Sequence, residues 1–168
     1  MLAVPHSLQR RALEVDGWLD LGCPDVALRK LEPLLANPGA RSVGLRLRVR
    51  AFVELERFVD ALADIESLRP LHHDPEWLDL TEAWCCKRTG RLPRAIACME
   101  RLIQREPANA TAHFNLGCYL AIAGDKERAL DMVTRACSLD ATFRGAPLDD
   151  PDLDNLRLDA AFLRLRTD

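Results

Sequence analysis

The side chains most able to do chemistry in this sequence are its cysteines and histidines. Cys85 and Cys86 are adjacent, with Cys98 downstream and the pair His72–His73 upstream, so the donor atoms of a metal site are present. Their spacing is wrong for one. No Cys-x2-Cys pair occurs, and adjacent residues of a helix point about 100° apart. The cysteines therefore read as small buried apolar side chains, with a redox role open to Cys85 and Cys86 if they are exposed. Nucleophilic catalysis finds no better footing. Ser7, Ser42, Ser67 and Ser138 fall at helix edges or faces, and none sits in a Gly-x-Ser-x-Gly elbow. His6 lies near a terminus, and His113 reads as a packed side chain. No Gly-rich phosphate loop appears, and the carboxylates are scattered over helix surfaces. The expectation is a protein that is not an enzyme and uses no metal and no cofactor.

The elements that would have to position any site are helical throughout. The chain has 168 residues, 48% of them hydrophobic, with a mean hydropathy of −0.13, which suits about one globular domain with a buried core. A net charge of −3 gives no global basic field for nucleic acid. Among the 23 basic residues only Lys30, Lys87 and Lys126 are lysine, a bias that reads as compositional, of the kind a GC-rich bacterial genome imposes. The opening "MLAVPHSLQRRALEVDGW" has no apolar run of signal-peptide length, and no stretch approaches the ~18 apolar residues of a membrane span. With six cysteines and no export signal, the expected compartment is the reducing cytoplasm.

One period runs through the chain. Ala27, Ala61, Ala95 and Ala129 are spaced by 34 residues, and Gly22, Gly90 and Gly124 share the register, with Glu56 as the exception. Four residues beyond each Ala stands a large apolar side chain, Leu31, Ile65, Met99 or Val133, followed by Leu34, Leu68, Leu102 and Ala136. Each copy reads as an amphipathic helix, a turn and a second amphipathic helix. In the clearest copy the helices span about 110–123 and 126–139, with Gly124 ending the first and Asp125 capping the second. Gly117 and Ala129 are small enough to let those two helices pack closely. A single pair cannot bury its apolar face alone, so neighbouring copies must stack.

The spacing, together with "HFNLGCYL" and "AGDKERALDMVTRACSLD", resembles the tetratricopeptide repeat, whose pattern is W-x2-L-G-x2-Y, then A-x3-F, A and P. Here the matching positions are His113, Leu116, Gly117 and Leu120, then Ala129, Val133, Ala136 and Ala141. The resemblance implies an all-α fold, a right-handed α-solenoid of helix–turn–helix repeats. The four copies run at about 8–41, 42–75, 76–109 and 110–143, within one domain covering 1–168. Residues 144–168, "GAPLDDPDLDNLRLDAAFLRLRTD" after Arg144, read as a capping segment with a helix start near Asp150–Pro151. The position usually held by Leu carries Glu14, Arg48, Glu82 and Leu116. Side by side in a stack, the first three would form an alternating ladder between repeats; the alternative is that they reach solvent.

In that family the first helices of the repeats line a concave face that binds peptides or partner helices. The corresponding positions here are Gln9, Ala12 and Asp16; Arg46, Arg50 and Val53; Trp77, Leu80, Trp84, Lys87 and Arg88; and Thr111, Phe114, Asn115 and Cys118. From these, Arg46, Arg50, Trp77, Trp84, Lys87, Arg88, Phe114, Asn115 and Cys118 are the candidate partner-binding residues, basic and aromatic in the middle. The alternative is that Trp77 and Trp84 pack on a neighbouring repeat and the arginines are solvated surface. The Lys/Asn/Arg clamp with which some relatives grip a C-terminal carboxylate is matched only in kind. The implied function is a protein–protein interaction adaptor for an acidic, partly apolar peptide or helix, monomeric or a weak homodimer. The second reading is a dedicated chaperone for a secreted or aggregation-prone client.

Overall fold

The computed structural model describes residues 4–71 and 74–165; His72 and His73 lie outside the described residues. In chain order the helices are α1 His6–Asp20, α2 Pro24–Lys30, α3 Glu32–Ala36, α4 Arg41–Glu54, α5 Phe58–Leu68, α6 Pro75–Arg88, α7 Leu92–Arg105, α8 Ala110–Ala123, α9 Lys126–Leu139 and α10 Ala160–Arg164. Short 3-10 turns at Ala141–Phe143, Ala146–Asp149 and Pro151–Leu156 separate α9 from α10, and no strand occurs among the described residues. The expected helices at 110–123 and 126–139 are α8 and α9. The chain divides into two compact units, Met1–Leu78 and Asp79–Asp168.

The 34-residue period survives as burial and as hydrogen bonds. Ala27, Ala61, Ala95 and Ala129 are fully buried, and so are the side chains seven residues beyond them, Leu34, Leu68, Leu102 and Ala136. Each turn closes the same way. The amide of Cys23 donates to Trp18 O at 2.9 Å, Arg57 to Phe52 O at 2.8 Å, Arg91 to Cys86 O at 2.8 Å and Asp125 to Leu120 O at 3.0 Å. This is the bond of a helix that ends on a left-handed residue. Gly22, Gly90 and Gly124 take that conformation with φ of 66°, 72° and 87°, and Glu56, the register's exception, takes it too with φ 56°. The fold thus imposes glycine geometry on a side chain that resists it.

In the first unit α1 packs on α2, α3 and α4, and α4 packs on α5. Val15, Leu19, Ala27, Leu31, Leu34 and Leu47 form the core between them. The second helix of the first copy is split in two. Pro33 offers no amide and its ring crowds the carbonyl four residues back, so the chain breaks at Leu31 and restarts as α3. In the second unit α8 packs on α7, on α9 and on the turn Pro151–Leu156. That arrangement explains why nearly every residue from Ala112 to Ala121 is buried: a helix apolar all round needs cover all round.

Two substitutions separate the backbone and packing contributions. Glu56→Gly is expected to raise stability by about 1 kcal/mol by relieving the left-handed strain. Gly117→Ala is expected to lose about 1–3 kcal/mol, because a Cβ there would stand 2.6 Å from Val133 Cγ2 and 3.1 Å from Ala129 O. Urea unfolding of the two variants beside the natural protein reads both signs.

Candidate functional site

Three of the nine candidate partner-binding residues, Arg46, Arg50 and Trp77, converge in the first unit. A groove of ≈ 800 Å³ lies between α1 and α4, and its lining includes Gln9, Ala12 and Asp16 from α1, Arg46 and Arg50 from α4, and Trp77. Two apolar side chains that the sequence reading did not single out share it, Leu13 at 72% and Val43 at 43% exposed. Both lie one helical turn from expected positions, Leu13 four residues after Gln9 and Val43 three before Arg46, so i, i+3/i+4 spacing would have found them.

The arginines of this groove have partners. Arg46 donates to Asp74 at 3.0 Å and lies over the Trp77 ring, 4.6 Å from its centroid. Arg50 donates to Asp16 at 2.8 Å and to Asp20 at 2.6 Å, tying α4 to α1. The expected basic surface is therefore largely compensated in charge. All of these carboxylates are well exposed, and exposed pairs of this kind are worth only about 0–1 kcal/mol, so each is exchangeable.

The other expected residues lie in the second unit, and there the outcome differs. Trp84 is exposed, flanked by Lys87 Nζ at 5.4 Å and Arg88 at 5.7 Å from its ring centroid. Phe114 and Cys118, expected on an open face, are buried, and Asn115 is half-buried. The cover is the chain itself. Phe143 packs on Phe114 with centroids 4.9 Å apart, Asp150 and Asp152 stand beside Cys118, and Asp152 accepts an ion-pair hydrogen bond from Lys87.

Residues 87–147 match the model of a tetratricopeptide repeat family. That stretch, which holds α7, α8 and α9, carries the tetratricopeptide repeat. Solved structures agree in fold: a double mutant of MamA RS-1 superposes with a TM-score of 0.76 at 16% identity, covering 98% of this chain and 97% of that one. MamA residues 41-end from Desulfovibrio magneticus RS-1 give 0.73 at 19% identity, over 83% and 78% of the two chains. YrrB, a TPR protein with an unusual peptide-binding site, gives 0.71 at 14% identity over 92% and 80%. No curated protein matches the sequence. The fold class is thus the α-solenoid of tetratricopeptide repeats, and such repeats serve as protein-interaction scaffolds rather than enzymes. No helix among the described residues is long and apolar enough to cross a membrane.

The tetratricopeptide register also corrects the expected charge ladder. Glu14, Arg48 and Glu82 each find a partner on the second helix of their own pair. Lys30 donates to Glu14 at 2.7 Å, Arg48 makes a two-pronged contact with Asp64 at 2.6 Å for both bonds, and Glu82 accepts from Arg94 at 2.6 Å. The cross-repeat pair within the first unit falls two residues later, at Asp16–Arg50.

The densest charge cluster of the second unit was not anticipated. Asp79 is fully buried on α6 and accepts from Arg101 at 2.5 Å and Arg105 at 2.6 Å, while Arg101 also reaches Glu82 at 3.3 Å. With Cys98, these two carboxylates would suit a cation by position, but the guanidinium of Arg101 already stands among them. Burial pushes the Asp79 carboxyl up, and the bonds from Arg101 and Arg105 outweigh that, leaving it below its usual value. Cys85, Cys86, Cys98, Cys118 and Cys137 are buried and form no disulfide, and burial pushes the thiols of Cys85 and Cys98 up to about 12. A thiol role for the vicinal pair has no exposed sulfur to work through. His113 is packed too, its Nε2 3.0 Å from Pro107 O.

Because the folded Asp79 carboxyl lies low, its stabilisation is full above the unfolded value of about 3.9 and is lost as pH falls through the folded one. Arg101→Met is expected to cost about 3 kcal/mol near neutral pH by leaving the buried carboxylate underpaired. Denaturant unfolding from pH 7 down to pH 3 should show the gap between Asp79→Asn and the natural protein narrowing only below about pH 4.

Proposed function

We propose that the groove of the first unit binds a segment of a partner protein, partly apolar and carrying a carboxylate. The observation that carries this reading is the meeting of exposed Leu13 and Val43 with Arg46, Arg50 and Trp77 in one groove. Apolar side chains left in water at a concave surface favour an apolar ligand there. A partner carboxylate would exchange with Asp74 at Arg46 or with Asp20 at Arg50, trading one exposed ion pair for another at little cost. The apolar contacts then supply the affinity, and the arginine forks supply orientation. Likeness in fold to YrrB, whose own description includes a peptide-binding site, supports the same reading. Six free cysteines suit action in the reducing cytoplasm.

Selection from a displayed random-peptide library tests it. Enriched peptides should combine Leu, Ile or Val with Asp or Glu, and Leu13→Asp or Arg46→Glu should each weaken their binding by about tenfold or more. Enriched peptides that bind both variants as tightly as the natural protein would remove the groove from consideration. Broad recovery of apolar peptides with no acidic preference would favour a chaperone that shields aggregation-prone clients.

A further inference from the structure

The second unit offers a different kind of information about binding, and it stands independently of the first groove. Its segment 146–156 folds across two of the helices that the repeat register assigns to the binding face. Leu148, Leu153 and Leu156 are buried to 1% exposure or less, and the turn Pro151–Leu156 packs on α8. Asp152 pairs with Lys87 at the end of α6, and Asn155 Nδ2 donates to Ala121 O on α8 at 2.5 Å. The segment reads Leu-Asp-Asp-Pro-Asp-Leu-Asp-Asn-Leu, acidic and apolar at once. A surface of cation, aromatic and small apolar side chains has therefore selected an acidic leucine-bearing segment from its own chain.

We propose that this segment is a tethered ligand, and that the face of α8 beneath it, with Lys87 and Cys118 at its edge, is a second binding site. Its external occupant is a partner segment with the same pattern, Asp-Leu-x-x-Leu. Three observations carry this. The contact is made by side chains and by short 3-10 turns, not by a long helix whose own cooperativity would fix it in place. Its two polar anchors, Lys87–Asp152 and Asn155–Ala121 O, can each be reproduced by an identical group on another chain. Exchange for a segment of like chemistry leaves the apolar cover of α8 intact, so it avoids the cost of simply exposing that face. Tethering gives the chain's own segment a high effective concentration, so an external segment must exceed a threshold before it displaces it. Trp84, exposed beside Lys87, is placed to contact whatever enters.

Cys118 is the reporter, because it is buried under the segment, while Cys98 is buried on α7 and reads wholesale unfolding. Maleimide labelling of the full-length protein, quantified for each cysteine by peptide mass mapping, measures both. Lys87→Glu places like charges together and is expected to speed labelling of Cys118 by about tenfold while leaving Cys98 unchanged. The swap Lys87→Glu with Asp152→Lys should return it to the natural rate. A synthetic peptide of residues 146–158 should slow the labelling of Cys118 in the full chain carrying Leu153→Asp and Leu156→Asp, and the same peptide with both aspartates should not. Cys118 no faster in Lys87→Glu, no protection by the peptide, or Cys98 opening in step with Cys118 in every variant would each overturn the proposal. The last of these would make the segment an inseparable part of the core. Leu13→Asp in the first groove should leave all these rates unchanged.

Discussion

A pair of helices joined by a short turn carries more apolar surface than the two can hide against each other, and this excess governs the chain. Each pair must be covered by whatever follows it in sequence. Close approach within a pair is set by small residues at the crossing. Gly117 admits Val133 and the carbonyl of Ala129 to distances that any Cβ would forbid, and Ala27, Ala61, Ala95 and Ala129 are wholly buried in the same register. With the crossing fixed, the larger side chains four and seven residues on are forced inward, and the helices that carry them acquire their outer faces by exclusion. In the last pair the cover is not another repeat but the turns of residues 146–156. The need to hide α8 and the presence of an acidic leucine segment at that face are two aspects of one requirement.

Polar groups obey the same rule with a different partner. Where a register position that usually holds Leu carries a charge, the charge cannot be left in the interface, and the nearest place to satisfy it is the second helix of the same pair. Sixteen residues separate Glu14 from Lys30 and Arg48 from Asp64, and the residue sixteen beyond Glu82 is Cys98, beside which Arg101 and Arg94 reach in. The fourth pair returns to Leu116, with Met132 in the matching place. In the first two pairs, then, charge at the first position meets its complement at the second. For Arg48 and Asp64, substituting one without the other strands a partly buried ion, whereas exchanging both for apolar residues would restore the arrangement of the fourth pair.

Most of the fold was legible in the sequence because it rests on a period, and a period can be counted. The helices 110–123 and 126–139, the left-handed turn at Gly124 and the cap at Asp125 follow from residue types at fixed offsets. The hydrogen bonds that close the turns repeat at the same offset, and they hold Glu56 in a conformation that glycine would take more easily. The ladder through Glu14, Arg48 and Glu82 was misread for a physical reason. Side-by-side placement of equivalent positions was weighed, but the competing partner on the second helix was not, and a nearer, better-aimed partner wins. The cluster at Asp79 was not legible because two buried carboxylates among three arginines look, in sequence, like ordinary surface charge spread over two helices. The groove was half legible. Positions on α1 and α4 came together, whereas Phe114 and Cys118 could not be seen to be covered: Phe143 is the last residue of the register, and Asp150 and Asp152 lie beyond it.

The two faces differ in the state in which they meet solvent, and the difference follows from what lies next to each. The first unit's groove keeps Leu13 and Val43 exposed and its arginines paired with exposed carboxylates. The second unit's face is already occupied by a segment whose chemistry resembles what the first would accept: leucines flanked by carboxylates. On the two proposals together, the chain answers the same kind of partner at two thresholds, set by the absence or presence of a tethered competitor. On that proposal the covered face binds more weakly in trans because it is satisfied in cis. Its intrinsic preference is written in the residues that satisfy it, Asp152 on Lys87 and Leu153 and Leu156 on α8.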